Sequence, residues 1–261
     1  MNALHCFLPA RTMITLLILG LSLLCLGHAG IGSPSSCLAM GMRGQSREDK
    51  GDSYQALRAG MVQEQIRARG VRSSAVLDAM TRVPRHLFVP EAARDYAYDD
   101  GPLPIGYGQT ISQPYIVGFM TEILNLNPHH LVLEVGTGSG YQAAVLAELV
   151  AEVFTIEIIP GLAQSATDRL RAQYPQKVRV RQADGYFGWP EKAPFDAIMV
   201  TAAAEFIPPP LLEQLKEGGR MVIPVGTPFL VQTLMLVEKI NGEIITRSMM
   251  PVRFVPLRRT P

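Results

Sequence analysis

The segment from Leu131 to Leu149 constrains the fold of this chain more than any other stretch. It reads LVLEVGTGSGYQAAVLAEL, an apolar run, then alternating glycines, then a stretch rich in alanine and leucine. An almost continuous apolar run is typical of a parallel strand that is buried on both faces. The last stretch contains no Gly or Pro and favours a helix. The segment therefore predicts a strand, a glycine turn and a helix whose amino terminus points into the turn.

The spacing of the glycines indicates which ligand this turn binds. Glycines let the backbone approach a nucleotide closely in the first unit of an α/β sheet. A dinucleotide fingerprint starting at Gly136 needs its third glycine at position 141, where this chain has Tyr141. The chain instead carries an acid followed by alternating glycines: Glu134, Gly136, Thr137, Gly138 and Gly140. This pattern resembles the first motif of S-adenosylmethionine-dependent methyltransferases. The alternative is a glycine turn that only packs the helix on the strand.

Three acids are candidate ligands of that cofactor. Glu134, beside the turn, would repel a pyrophosphate but suits an ammonium group and ribose hydroxyls. Glu157 ends a predicted strand, 153–158, about twenty residues past the turn, where an acid can accept from ribose hydroxyls. The alternative for Glu157 is a surface acid. Asp184 and Gly185 follow the predicted strand 178–182, where a carboxylate can accept from the adenine amino group.

The rest of the chain alternates between helical and strand patterns, which is typical of an α/β fold. Further helices are predicted at 54–69, 74–83, 114–126, 160–174 and 208–215, and further strands at 195–201, 220–225, 231–238, 243–248 and 252–257. Asn241 with Gly242 predicts a hairpin turn, and Gly218 with Gly219 a helix stop. The stretch 103–114 is not expected to form regular structure. The outline is that of a Rossmann-like methyltransferase, with a mixed sheet of about seven strands and helices on both faces.

We place the methyltransferase domain at residues 53–261, with a helical cap and active-site loop (53–128) and a cofactor-binding sheet with C-terminal strands (129–261). Residues 1–52 comprise a signal-like apolar run from Met13 to Leu26 and a flexible linker, 33–52. An exported enzyme would lack S-adenosylmethionine, which is made in the cytosol. A start codon placed too far upstream, with Met42 or Met61 nearer the true start, is the equal alternative. We expect a cytoplasmic protein, or a periplasmic one if the apolar run is a signal peptide.

The composition bounds the partners of the chain. The formal net charge is +1, and no basic cluster is longer than the pair Arg258 and Arg259. Nucleic-acid binding usually requires a basic stripe, so no nucleic-acid partner is expected. Cys6, Cys25 and Cys37 lie near the amino terminus, and no zinc spacing or disulfide framework is present. We expect no metal, no stable membrane association and a monomer.

Two stretches together resemble a particular family. These are 104–114, PIGYGQTISQP, and 134–144, EVGTGSGYQAA, and they closely resemble protein-L-isoaspartate O-methyltransferases. Further matches lie at 83–85, 184–185, 188–190, 193–196, 200–203, 218–220, 223–226 and 252–257, so the likeness extends from about Met61 to Leu257. One departure is Ala183, where bacterial members usually carry Gly. The resemblance implies methyl transfer from S-adenosylmethionine to the free α-carboxylate of L-isoaspartyl residues in aged proteins.

The resemblance also assigns roles within the loop 104–114. Ser112 matches the family's active-site serine, and its hydroxyl can orient the acceptor carboxylate. The alternative is that Ser112 caps the helix that starts at Pro114. Gln109, Thr110 and Ile111 are weaker candidates for contacts with acceptor and cofactor in the same pocket. The stretch 255–257 is a candidate for pairing with an extended peptide at a sheet edge.

Two other functions remain open at this point. Related folds methylate adenine in transfer RNA, but the missing basic stripe and the intact loop 109–114 count against that reading. A non-catalytic binder of damaged proteins that retains the cofactor pocket is not excluded by the motifs.

Overall fold

The computed structural model describes residues 48–228 and 230–260. The predicted signal-like run and most of the predicted linker lie outside the described residues. Helix α1, Glu48–Gly60, includes the last residues of that linker. It continues through a π-helical stretch, Met61–Ile66, and a 3-10 turn, Arg67–Arg69, so the predicted helix 54–69 is confirmed. The π-helical stretch buries Met61, Val62 and Ile66 in the core.

A short hairpin precedes the main sheet, in the stretch for which no regular structure was expected. Strands β1, Leu103–Gly106, and β2, Gln109–Ile111, pair antiparallel. The two turn residues, Tyr107 and Gly108, have φ angles of 55° and 72°. Such angles are typical of the two-residue turns that match the twist of paired strands. The expectation for 103–114 was wrong because a Tyr-Gly pair makes the turn usually made by Asn-Gly.

Seven strands form the main sheet, as predicted. They are β3 Leu131–Val135, β4 Glu152–Glu157, β5 Val178–Gln182, β6 Phe195–Val200, β7 Leu215–Val225, β8 Gln232–Ile240 and β9 Glu243–Val252. Their spatial order is β5-β4-β3-β6-β7-β8-β9. Strands β3 to β7 are parallel, and β8 and β9 add antiparallel. The carboxyl ends of β3, β4 and β6 therefore meet at one edge, where ligands of such sheets bind.

The remaining helices cover both faces of this sheet. They are α2 Ser74–Arg82, α3 Pro114–Ile123, α4 Tyr141–Ala147, α5 Pro160–Gln173 and α6 Pro209–Gln214. Alternate strand residues face opposite sides. Val132 packs in a cluster with residues of α2 to α5, whereas Leu133 packs in a second cluster with Leu211 of α6. Within residues 48–228 and 230–260, none of the helices has the length and apolar character needed to cross a bilayer.

Two predicted boundaries were wrong. Gly218 and Gly219 do not stop α6, because β7 starts at Leu215 and runs through both glycines, with an irregular register against β6. The predicted strand 252–257 is not a strand, since β9 ends at Val252. The peptide groups of Val255 and Leu257 hydrogen-bond to Ala203, at 2.8 Å each, so those groups are not free for an extended peptide.

Candidate active site

The glycine turn joins β3 to α4 with three left-handed backbone positions. The φ angles of Gly136, Gly138 and Gly140 are 98°, 53° and 87°. A Cβ atom on Gly136 would lie 2.4 Å from the hydroxyl oxygen of Thr201, which hydrogen-bonds the Gly136 carbonyl at 2.6 Å. On Gly140 it would lie 3.0 Å from Leu170 of α5. The turn thus requires glycine both for its backbone angles and for its close packing.

Glu157 is fixed at the carboxyl end of β4 by two backbone amides. Its Oε2 atom accepts from the Gly138 amide at 2.8 Å, and its Oε1 atom accepts from the Ile159 amide at 2.9 Å. A carboxylate has about four lone-pair sites, so each oxygen keeps one for a ligand. The carboxylate lines a narrow cleft with Gly136 and Gly138. This arrangement suits a ligand that carries neighbouring hydroxyl groups.

Glu134 lies beneath the turn rather than in the cleft. It is 0% exposed, and Thr155 of β4 donates a hydrogen bond to its Oε2 atom. The hydroxyl of Thr137 is 2.6 Å from that of Thr155 and extends this buried chain. The Oε1 atom of Glu134 has no hydrogen-bond partner among the described residues. Burial raises the pKa of Glu134 to about 8. The hydrogen bond from Thr155 lowers this pKa, but less than burial raises it, and the charge of Glu157 adds to the rise.

Asp184 follows β5 and is held on both carboxylate oxygens. Its Oδ1 atom accepts from the Tyr186 amide at 3.0 Å, which caps the 3-10 turn Gly185–Phe187. Its Oδ2 atom accepts from Arg259 and Thr260 near the carboxyl terminus of the chain. Burial alone would raise the pKa of Asp184, but the hydrogen bonds from Tyr186, Arg259 and Thr260 outweigh it and lower the pKa below its usual value.

The cleft brings together some of the predicted cofactor residues and leaves others outside. It encloses about 60 Å³ and is lined, among the predicted residues, by Gln109, Thr110, Gly136, Gly138, Glu157 and Gly185. Ile111 and Thr137 line a smaller cavity of about 40 Å³ beside it. Gly140 faces Leu170, and Glu134 and Asp184 are not among the lining residues. The cleft also includes Thr201 and residues 255–258, which the sequence did not single out for the cofactor.

Ser112 lines a separate and larger cavity of about 570 Å³, together with Arg69, Tyr115 and Phe254. The helix N-cap position of α3 is Gln113, so the alternative of Ser112 as the N-cap is wrong. No described residue hydrogen-bonds the Ser112 hydroxyl, which leaves that group available to a ligand. The side chain of Gln113 donates to Asp100 at 2.8 Å and ties this segment to the start of the hairpin.

Thr110 and Thr201 line both the cleft and the Ser112 cavity. The two spaces are therefore adjacent, and a ligand bound in the cleft reaches toward the cavity. Thr201 was not predicted as a site residue. The available signal was its position directly after β6, because β6 neighbours β3 and its carboxyl end meets the glycine turn.

Comparisons with known proteins agree on one family. The model of the family described as Protein-L-isoaspartate(D-aspartate) O-methyltransferase matches residues 57–260. Protein-L-isoaspartate O-methyltransferase 2 of Syntrophobacter fumaroxidans is 59% identical over 217 residues, which cover 79% of this chain and 87% of that protein. Protein-L-isoaspartate O-methyltransferase of Opitutus terrae is 59% identical over 199 residues, covering 76% and 85% of the two chains.

Solved structures give the same result. A Plasmodium falciparum protein, described as a candidate protein-L-isoaspartate O-methyltransferase in complex with S-adenosyl-L-homocysteine, is 26% identical. It superposes with a TM-score of 0.68 over 78% of this chain and 99% of that one. A further protein-L-isoaspartate O-methyltransferase is 27% identical, with a TM-score of 0.68, over 78% of this chain and 65% of that one. The predicted family and fold are thus confirmed, and the chain belongs to the protein-L-isoaspartate O-methyltransferase family.

Proposed function

We propose that this protein methylates the free α-carboxylate of L-isoaspartyl residues in damaged proteins, with S-adenosylmethionine as the methyl donor. The observation that carries the proposal is the junction of two spaces at Thr110 and Thr201. One is a nucleoside-type cleft with an anchored Glu157, and the other holds the unpaired hydroxyl of Ser112. Methyl transfer requires donor and acceptor to meet at such a junction.

The residues of the cleft fit S-adenosylmethionine in chemistry. Glu157 keeps lone pairs for the ribose hydroxyls, and the Gly136 and Gly138 turn lets the backbone approach the ligand. Asp184 and Gly185 would face the adenine, and Gln109 and Thr110 would lie above the cofactor. Glu134 and Thr137 would support the turn from beneath. The cofactor supplies an electrophilic methyl group on a cationic sulfur.

The acceptor carboxyl does not need a catalytic base to remove its proton. The reference pKa of an α-carboxyl is about 3.5, so the acceptor is already ionised near neutral pH. The hydroxyl of Ser112 would donate a hydrogen bond to one carboxylate oxygen of the acceptor. This bond would orient the other oxygen toward the methyl group. Alignment and exclusion of water then account for the rate, and such positioning can contribute about 7 to 11 kcal/mol in favourable cases. The methyl ester would next cyclise to a succinimide, whose hydrolysis returns some normal aspartate.

Labelled S-adenosylmethionine with a matched pair of peptides tests this function. The two peptides have one sequence and differ only in an isoaspartyl or aspartyl linkage. We expect base-labile label on the isoaspartyl peptide alone. Label on transfer RNA would support the RNA methyltransferase instead. Tight binding of the isoaspartyl peptide and of S-adenosylhomocysteine, without any label transfer, would indicate a non-catalytic binder.

We also propose that the protein acts as a monomer in the cytoplasm, where its cofactor is made. Mass spectrometry of the native amino terminus tests the compartment, because processing after the run Met13 to Leu26 would contradict it. Light scattering coupled to gel filtration tests the oligomeric state.

A further inference from the structure

The last residues of the chain lie on the acid proposed to bind adenine. The Nε atom of Arg259 donates to Asp184 Oδ2 at 3.0 Å. The backbone amide and the hydroxyl of Thr260 donate to the same oxygen at 3.1 and 3.2 Å. The guanidinium of Arg259 also lies 3.6 Å from the ring centroid of Tyr186 and 5.1 Å from that of Phe187. We call residues 258–260 the C-terminal strap.

These contacts fill the Oδ2 atom of Asp184, whereas the Oδ1 atom accepts from the Tyr186 amide alone. A carboxylate offers about four lone-pair sites. The Tyr186 amide takes one of the two sites on Oδ1, and Arg259 and Thr260 direct three donors at the two sites on Oδ2. An adenine amino group could therefore hydrogen-bond the Oδ2 atom of Asp184 only by replacing a donor of the strap.

The small volume of the cleft also indicates that the strap must move when a nucleoside binds. It encloses about 60 Å³, whereas pockets that hold a ligand of this class usually enclose about 300 Å³ or more. Residues 255–258, which lead into the strap, form part of its wall. Val255 and Leu257 are fixed by backbone bonds to Ala203, but the side chain of Arg259 is 44% exposed. Arg259 and Thr260 follow this wall and are held instead by Asp184 and by the rings of Tyr186 and Phe187.

We propose that Arg259 and Thr260 set the cofactor affinity of this site by competing with the adenine amino group for Asp184. Binding of the nucleoside then displaces the strap from the carboxylate. The inference rests on the proposed function, because it assumes that the cleft takes S-adenosylmethionine. The coupling is reciprocal, so a strap that holds Asp184 less tightly gives a tighter cofactor complex. Losing the strap contacts should increase affinity by about five- to thirtyfold.

Isothermal titration with S-adenosylhomocysteine tests the competition. The full chain is compared with Arg259→Ala, Thr260→Ala and the double variant. Arg171→Ala is the control, because Arg171 is an exposed arginine of α5 that does not line the cleft. We expect the double variant to bind about five- to thirtyfold more tightly, the single variants to lie between, and the control to match the full chain. Unchanged or weaker binding by the double variant would overturn the inference.

Hydrogen–deuterium exchange gives a second readout that does not depend on activity. S-adenosylhomocysteine should increase exchange in the C-terminal peptide while it protects the glycine turn. Stronger protection of the C-terminal peptide would mean that the strap closes over the nucleoside, which also overturns the inference. If S-adenosylhomocysteine binds neither the full chain nor any variant, the proposed function itself fails. Tight but equal binding by all of them rejects the strap alone.

Discussion

Replacing Glu134 by glutamine should remove a pH-dependent loss of stability that is built into the core. Glu134 is fully buried beneath the glycine turn, with one oxygen lacking a partner among the described residues. Burial chiefly raises the pKa of Glu134 from 4.5 to about 8. As pH rises from about 4.5 to about 8, the unfolded chain loses this proton while the folded protein retains it. The folded state then binds more protons than the unfolded state, so stability falls with rising pH.

The size of this effect follows from the two pKa values. They differ by about 3.5 units, and each unit corresponds to about 1.4 kcal/mol, which sets an upper limit of about 5 kcal/mol. Between pH 5 and pH 8 the expected loss is about 3 kcal/mol, because the unfolded carboxyl is already partly ionised at pH 5. Glutamine has nearly the same shape and does not titrate, so Glu134→Gln should lack this loss.

Urea unfolding at pH 5 and pH 8 measures the difference. The quantity to compare is the change in unfolding free energy between the two pH values, in the full chain and in Glu134→Gln. Other titrating groups contribute to both proteins and cancel. Glu213→Gln, a change at an exposed acid of α6, is the control and should follow the full chain. An equal pH dependence in the full chain and in Glu134→Gln would refute the argument that Glu134 is buried as a neutral acid.

Three further substitutions test the site. Ser112→Ala should lower turnover by at least about tenfold while S-adenosylhomocysteine affinity is mostly kept, since only the acceptor carboxylate loses a hydrogen-bond donor. Unchanged turnover would mean that the Ser112 hydroxyl does not orient the acceptor. Glu157→Gln should weaken S-adenosylhomocysteine binding by about tenfold or more in calorimetry. The amide nitrogen of glutamine would face a backbone N–H that donates to the Glu157 carboxylate in the unmodified chain. Unaltered affinity would exclude Glu157 as a ligand. Gly136→Ala should cost about 1 to 3 kcal/mol in urea unfolding, because alanine is strained at φ 98° and meets the Thr201 hydroxyl. Gly101→Ala, where an added Cβ meets nothing within 4 Å, is its control, and equal effects of the two changes would contradict the argument.

Local patterns determined much of the sheet. The order of strands and helices between positions 131 and 248 could be read directly, because buried parallel strands are apolar and short helices begin at proline or after a turn. The Asn241–Gly242 hairpin is equally local, with both residues at positive φ. The β1–β2 hairpin was missed, since nothing in the sequence marks Tyr107 as a residue with φ of 55°. Only the backbone conformation reveals that turn.

The sequence by itself also identified the family, because the glycine turn and the loop 104–114 are contiguous motifs. It could not show that Glu134 lies under the turn while Glu157 lies in the cleft. Glu134 pairs with Thr155, two residues before Glu157 and on the same face of the sheet, so the two acids differ in their distance from the strand ends. Nor could it show Thr201 at the junction of the two cavities, or Arg259 and Thr260 on Asp184, which lies about 75 residues earlier. Such contacts join residues that are distant in the chain, and only the packing of the tertiary structure brings them together.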